Sequence, residues 1–180
     1  MLKRITRSNN LYLRLQSGSM AIKIFIVDDD PAMLEMINDF LQDKYSDAER
    51  SSFTTGEEAL VELHKKPDVI ILDYHLDSKD KTAMNGIDIL KRIKELLPNE
   101  PVIFLSSQEN PQVASDTIRF GAYDYIVKNE SAFQRLEIMI NNVTGHRSAQ
   151  KQLRVQRTFN IILLLLLSAL VIGFVVDQLM

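Results

Sequence analysis

Along residues 20–145, short apolar runs alternate with longer segments whose apolar positions recur every three or four residues. The runs Ile22–Val27, Asp68–Asp73, Pro101–Ser106 and Tyr123–Val127 have the length of strands and are rich in β-branched residues. Unbroken runs of this kind suit strands buried on both faces, as in a parallel sheet. A weaker, more polar strand is predicted near Ala48–Thr54. Helical spacing appears in five places. Met33, Leu34, Ile37, Phe40 and Leu41 follow Pro31; a short helix runs from Gly56 to about Lys65; and Ile87, Leu90, Ile93 and Leu97 mark Gly86 to about Leu97. Pro111–Phe120 and the stripe Phe133, Leu136, Ile140, Val143 complete the set. Five strands alternating with five helices predict an α/β fold, a doubly wound five-stranded parallel sheet covered on both faces. Turn chemistry agrees: Asp30 suits an N-cap with Pro31 at the first helical position, and Glu57 and Glu58 sit where the helix dipole favours acids.

The ends of the chain have a different pattern. Residues 159–176 carry no charge, and eighteen residues at ~1.5 Å each give ~27 Å, close to the ~30 Å of a bilayer's hydrocarbon core. A single transmembrane helix is predicted over 159–177. Arg147, Lys151, Arg154 and Arg157 precede it and only Asp177 follows, so the positive-inside rule leaves the globular domain on the cytoplasmic side. Residues 146–158 then read as a basic juxtamembrane linker or helix. Residues 1–19 hold four bases, no acid and no signal-peptide run, and read as a disordered basic tail; translation from Met20 and membrane-surface binding by the four bases are the alternatives. Residues 20–145 hold 13 basic against 23 acidic residues, a net of −10, which argues against nucleic acid as a direct partner. The absence of cysteine excludes disulfide and thiolate chemistry.

Candidate chemistry lies where the predicted strands run out: Asp28 and Asp29, Asp73, Ser106, and Lys128. In a parallel sheet these ends meet at one edge, where such sheets keep their ligand sites. Three adjacent carboxylates stay ionised only with a cation among them. A hard divalent ion such as Mg²⁺, which takes one or two carboxylates and keeps room for a phosphate oxygen, fits that need. With Lys128 as a mobile positive charge and Ser106 as a hydroxyl donor, the edge reads as a phosphoryl-transfer site with Asp73 as nucleophile. Each group alone has a plain structural explanation, in capping, strand ending or a solvated rim. Their joint occurrence at four strand ends does not.

The segments Phe25-Ile26-Val27-Asp28-Asp29-Asp30-Pro31, Ile70-Ile71-Leu72-Asp73, Val102-Ile103-Phe104-Leu105-Ser106 and Gly121-Ala122-Tyr123-Asp124-Tyr125-Ile126-Val127-Lys128 resemble the receiver domain of bacterial two-component response regulators. The resemblance covers roughly 21–143 and implies the flavodoxin-like strand order 2-1-3-4-5. It implies Asp73 as phosphoacceptor, Asp29 as a direct Mg²⁺ ligand and Asp28 as one acting mainly through water. The backbone carbonyl of His75 is implied as a further ligand, Ser106 as the switch hydroxyl, Lys128 as the phosphoryl-binding lysine and Tyr125 as the aromatic switch. The partners implied are a sensor histidine kinase or histidine phosphotransfer protein and an output protein at the membrane, with a homodimer compatible. The domain is expected to be a phosphoacceptor rather than an enzyme, held at the bacterial inner membrane by a single pass.

The sequence departs from the family pattern in two places. Leu76-Asp77 stands where Met-Pro is usual, and Asp77–Ala83 reads as an insertion of about five residues. Lys128 is followed by Asn129 instead of a proline on a cis bond, which predicts a trans or looser turn. Two rival readings stay open. One is a phosphorylation-independent docking module, a pseudo-receiver. The other is an aspartyl-phosphate phosphohydrolase of the haloacid dehalogenase type, which wants an aspartate where His75 stands.

Overall fold

The computed structural model describes residues 21–76, 83–145 and 160–164. Five strands, β1 (Lys23–Val27), β2 (Glu49–Phe53), β3 (Val69–Leu72), β4 (Val102–Ser106) and β5 (Asp124–Val127), form one parallel sheet in the order β2-β1-β3-β4-β5. The helices are α1 (Pro31–Lys44), α2 (Gly56–Val61), α3 (Gly86–Leu96), α4 (Pro111–Arg119) and α5 (residues 132–145). The predicted α/β class, strand count and strand order are all present.

Alternation along the strands divides the core into two layers. Ile24, Ile26, Ile71, Ile103 and Leu105 face α1 and α5, where Leu34, Ile37, Leu41, Leu136 and Ile140 meet them. Phe25, Val27, Ile70, Leu72 and Phe104 face the opposite layer, including Ala59 of α2 and Ile89, Leu90 and Ile93 of α3. All of β3 and β4 is buried, as expected for strands covered on both sides. Asp30 caps α1, its side chain accepting from the Ala32 N–H at 3.0 Å, with Pro31 beginning the helix.

Two local details differ from the sequence expectation. The helix predicted to run to Lys65 is α-helical only to Val61 and tightens into a 3₁₀ turn over Glu62–Lys65, ending at left-handed Lys66 (φ 52°). In α3 Ile89 is fully buried beside Leu90 and Ile93, while Ile87 is only half-buried. Gly56 explains this, because a Cβ there would lie 2.2 Å from Ile89 Cγ1, so α2 is pressed directly onto that side chain.

Among the described residues no helix is long and apolar enough to cross a membrane. Of the predicted span, only residues 160–164 are described; they are helical, and Ile161–Leu164 are exposed. The rest of the span, the tail 1–19, the linker 146–158 and positions 77–82 of the insertion lie outside the described residues.

Candidate functional site

Sheet hydrogen bonding places the carboxylates. Asp28 and Asp73 are the residues immediately after β1 and β3, which are neighbours, and the Asp73 N–H donates to the Val27 carbonyl at 2.8 Å. The Asp28 N–H donates to Phe53 O at the end of β2 at 3.2 Å. The strands therefore deliver both side chains to the same sheet edge. Asp28, Asp29 and Asp73 each present a carboxylate oxygen, and these atoms lie within 4.8 Å of one another. Asp28 and Asp73 are buried and Asp29 is half-buried.

Lys128 joins them from the end of β5. Its Nζ donates to Asp28 Oδ2 at 2.7 Å and faces Asp73 Oδ1 at 3.1 Å. At an effective dielectric of ~20, each close carboxylate pair repels by roughly 3–4 kcal/mol and each lysine contact attracts by roughly 5–6 kcal/mol. Lysine therefore about offsets the mutual repulsion but not the cost of burial, which still raises the Asp28 pKa. With all three carboxylates ionised the cluster still carries a formal charge of −2, the match for one divalent cation. Burial pushes the Asp28 carboxyl pKa up, the Asp73 charge adds to this, and the Lys128 contact and the Asp30 N–H only partly oppose it. For Lys128 burial acts downward, but the Asp28 hydrogen bond and the charges of Asp73 and Asp28 outweigh it, so its pKa is raised.

The two oxygens of Asp73 have different surroundings. Oδ2 accepts from the His75 N–H at 2.9 Å. Oδ1 is buried and meets the Lys128 ammonium at 3.1 Å. A carboxylate oxygen with this one charged partner keeps a lone pair for a cation or a new bond. Together with the −2 charge and the all-oxygen donor set, it shows that the residues present fit Mg²⁺.

The remaining predicted groups fall close by. Ser106 ends β4 fully buried; its Oγ accepts from the Gln108 N–H at 3.2 Å, and its carbonyl accepts from the Lys128 N–H at 2.8 Å. Tyr125 in β5 lies inward, its ring stacked on Phe104 at 6.1 Å between centroids and its hydroxyl donating to the Gln108 carbonyl at 2.7 Å. Burial pushes the Tyr125 hydroxyl pKa up, against a lowering contact from Ser106. Ser106 and Tyr125 thus hold one loop, at Gln108, from two sides. The His75 ring lies edge-on to Tyr74 at 4.8 Å, so this residue serves Asp73 through its backbone. The Lys128–Asn129 peptide is trans, as predicted for a non-proline. Asn129 instead turns the chain just ahead of α5: its side chain accepts from the Ser131 N–H at 3.0 Å and its carbonyl from the Ala132 N–H at 3.0 Å. The sequence reads Asn129 only as a missing proline, although Asn is itself a turn residue whose side chain bonds the backbone two residues on.

The sequence profile of the response regulator receiver domain matches residues 24–141, well over half of the chain. The chain belongs to the response regulator receiver family. Receivers are signalling domains of two-component systems, and they use Mg²⁺ in their phosphorylation. A protein-glutamate methylesterase/protein-glutamine glutaminase of Bacillus subtilis is 37% identical over 110 residues, covering 59% of this chain and 29% of that protein. The first curated relatives are matched over only 29%, 31% and 37% of their length. The receiver domain of NtrX from Brucella abortus is 28% identical with a TM-score of 0.59, covering 67% of this chain and 96% of that one. The CheX–CheY–BeF₃–Mg²⁺ complex from Borrelia burgdorferi shares the fold, with a TM-score of 0.62 at 22% identity over 72% of this chain and 93% of that one.

Proposed function

We propose that this receiver accepts a phosphoryl group on Asp73 from the phosphohistidine of a sensor histidine kinase or histidine phosphotransfer protein. The observation that carries the reading is Asp73 itself: a buried carboxylate at the sheet edge, positioned through Oδ2 by the His75 N–H and facing the Lys128 ammonium through Oδ1 at 3.1 Å. In the transfer, an Asp73 oxygen attacks phosphorus and a P–O bond forms as the P–N bond breaks. The imidazole nitrogen keeps the electron pair and takes up a proton. Lys128 and the Ser106 hydroxyl face the phosphoryl oxygens. Asp28, Asp29 and Asp73, with the His75 carbonyl, would hold Mg²⁺, which when bound supplies positive charge against those oxygens.

Phosphorylation adds charge beside Ser106 and competes for its hydroxyl, which now accepts from Gln108. Tyr125, bonded to the carbonyl of the same Gln108, repacks with that loop and biases the surface of the last strands and helices. Output is protein contact at the bacterial inner membrane, with 159–177 as a single-pass anchor and the receiver on the cytoplasmic side. The anchor rests on the apolar, uncharged run and the bases that precede it.

The test is intact mass of the full chain after incubation with Mg²⁺ and phosphoramidate. One phosphoryl group is gained, and the gain disappears in Asp73→Asn and on chelation. A chain that takes up no phosphoryl group and binds no Mg²⁺ is instead the phosphorylation-independent docking module.

A further inference from the structure

Glu57 stands outside the carboxylate cluster, in the first turn of α2, yet it reaches a backbone group 27 residues away: its Oε1 accepts from the Met84 N–H at 2.9 Å. Its neighbour Glu58 has the ordinary capping task. The Glu58 N–H donates to Thr55 Oγ1 at 3.3 Å, and Glu58 Oε2 accepts from the Thr54 N–H at 3.3 Å. Glu57 is therefore not needed to cap its own helix. The Met84 N–H it holds lies just before α3, and the contacts continue from there towards Asp73. Asn85 caps α3 through the Ile87 and Asp88 N–H groups, and the Gly86 N–H donates to the Tyr74 carbonyl at 2.9 Å. At Gly86 a Cβ would lie 2.3 Å from the Asp73 carbonyl oxygen and 2.8 Å from Tyr74 Cα, so the start of α3 rests directly on the phosphoacceptor's backbone.

Beyond the Glu57 carboxylate, the links from Met84 through Gly86 to the Asp73 and Tyr74 carbonyls are backbone groups in close packing, which leave little room to absorb a displacement. The other end of the path is equally fixed. Gly56 is pressed onto Ile89, and Phe53, shortly before α2, accepts the Asp28 N–H. The start of α2 is thus tied to Asp28 through β2 and to Asp73 through Met84 and Gly86.

We propose that Glu57 is a positioning residue of the phosphoacceptor site. By holding the Met84 N–H it keeps Gly86 seated on the Asp73 carbonyl and fixes the Asp73 carboxylate relative to Asp28 and Lys128. This inference rests on the reading of Asp73 as the phosphoacceptor, but it has a separate readout. The His75 amide, which donates to Asp73 Oδ2, reports whether that carboxylate is held.

The experiment uses the full chain with Glu57→Ala, Glu57→Gln and Gly86→Ala. It measures amide hydrogen exchange and the rate of phosphoryl uptake from phosphoramidate at saturating Mg²⁺. Glu57→Ala speeds exchange at His75 by about tenfold or more while the β1 and β3 amides keep wild-type rates. It also lowers the uptake rate constant by about tenfold, the scale expected when a reacting group is misplaced by a fraction of an ångström. Glu57→Gln keeps an acceptor oxygen and stays within about twofold of wild type. The double variant Glu57→Ala with Gly86→Ala loses no more than Gly86→Ala alone, because both act through one backbone path. Wild-type His75 exchange in Glu57→Ala would overturn the proposal, as would a Glu57→Gln as impaired as Glu57→Ala. If the wild-type chain takes up no phosphoryl group, the phosphoacceptor reading fails by itself, and His75 exchange still decides whether Glu57 holds Asp73.

Discussion

At Asp28 two demands conflict. Burial favours the protonated carboxyl, whereas a cation site needs the ionised one, and burial is the larger influence on its pKa even with Lys128 at 2.7 Å. A carboxyl whose pKa is raised by folding contributes stability that is complete below its unfolded value of ~3.9 and is lost as pH rises through the folded value. At neutral pH, Asp28 is therefore a site where stability is given up for binding. Asp28→Asn removes that loss. In denaturant titrations without Mg²⁺ at pH 7 the variant unfolds at a midpoint no lower than wild type. The two curves converge as pH falls below the folded Asp28 pKa. Its Mg²⁺ affinity falls by roughly 10–100-fold, the scale for removing a group that orients a metal site. A wild type clearly more stable than Asp28→Asn at pH 7 would show that the Lys128 pair outweighs burial.

Between elements, α1 and α5 are joined at the end of α1 by Tyr45, whose hydroxyl lies 3.2 Å from the Glu137 carbonyl and 3.1 Å from Asn141 Oδ1. Lys44 pairs with Glu137 at 3.3 Å, and Phe40 meets Phe133 at 5.1 Å between centroids. Burial, then the Glu137 charge, pushes the Tyr45 hydroxyl pKa up to about 12. A raised pKa means stability that is full below the unfolded value of ~10 and lost as pH rises through the folded one. Tyr45→Phe should therefore unfold about 0.5–1.5 kcal/mol more easily at pH 8. That gap narrows between pH 10 and 12, read from denaturant midpoints; a constant gap would remove the hydroxyl's ionisation as its cause. The contrast between legible and illegible features follows the range of the forces involved. Strands such as Val69–Leu72, the Asp30–Pro31 start and the four strand-end groups were readable because periodicity, capping and sheet topology act through local sequence. The inward face of α3 was misjudged at Ile87 and Ile89 because a glycine on another helix decides it. Glu57 gave no signal of its own, since its partner Met84 is fixed by folding and not by spacing.

At the scale of the whole molecule, the proposed anchor rests on the charge distribution and the apolar run. The segment 20–145 carries a net of −10, while the stretches on either side hold bases and no acid up to Asp177. An acidic domain gains nothing from an anionic membrane surface, whereas four bases just before an apolar run gain about 1 kcal/mol each when near it. Within 161–176, thirteen residues are Ile, Leu, Val or Phe. At roughly −0.3 to −0.6 kcal/mol apiece, they favour insertion by several kcal/mol before the smaller opposing effects of Ser168 and Gly173. The proposed anchor therefore predicts that the full chain, expressed in bacteria, stays in the membrane fraction through alkaline carbonate washing. Replacing Leu166 and Leu170 with arginine, at roughly +2.5 to +3.5 kcal/mol each near the middle of the span, should release it to the supernatant with phosphoryl uptake intact. Protease added to inverted inner-membrane vesicles should degrade the receiver, and protease added to intact spheroplasts should leave it whole. A wild-type chain that washes off with carbonate would remove the anchor and leave the phosphoacceptor chemistry of Asp73 untouched.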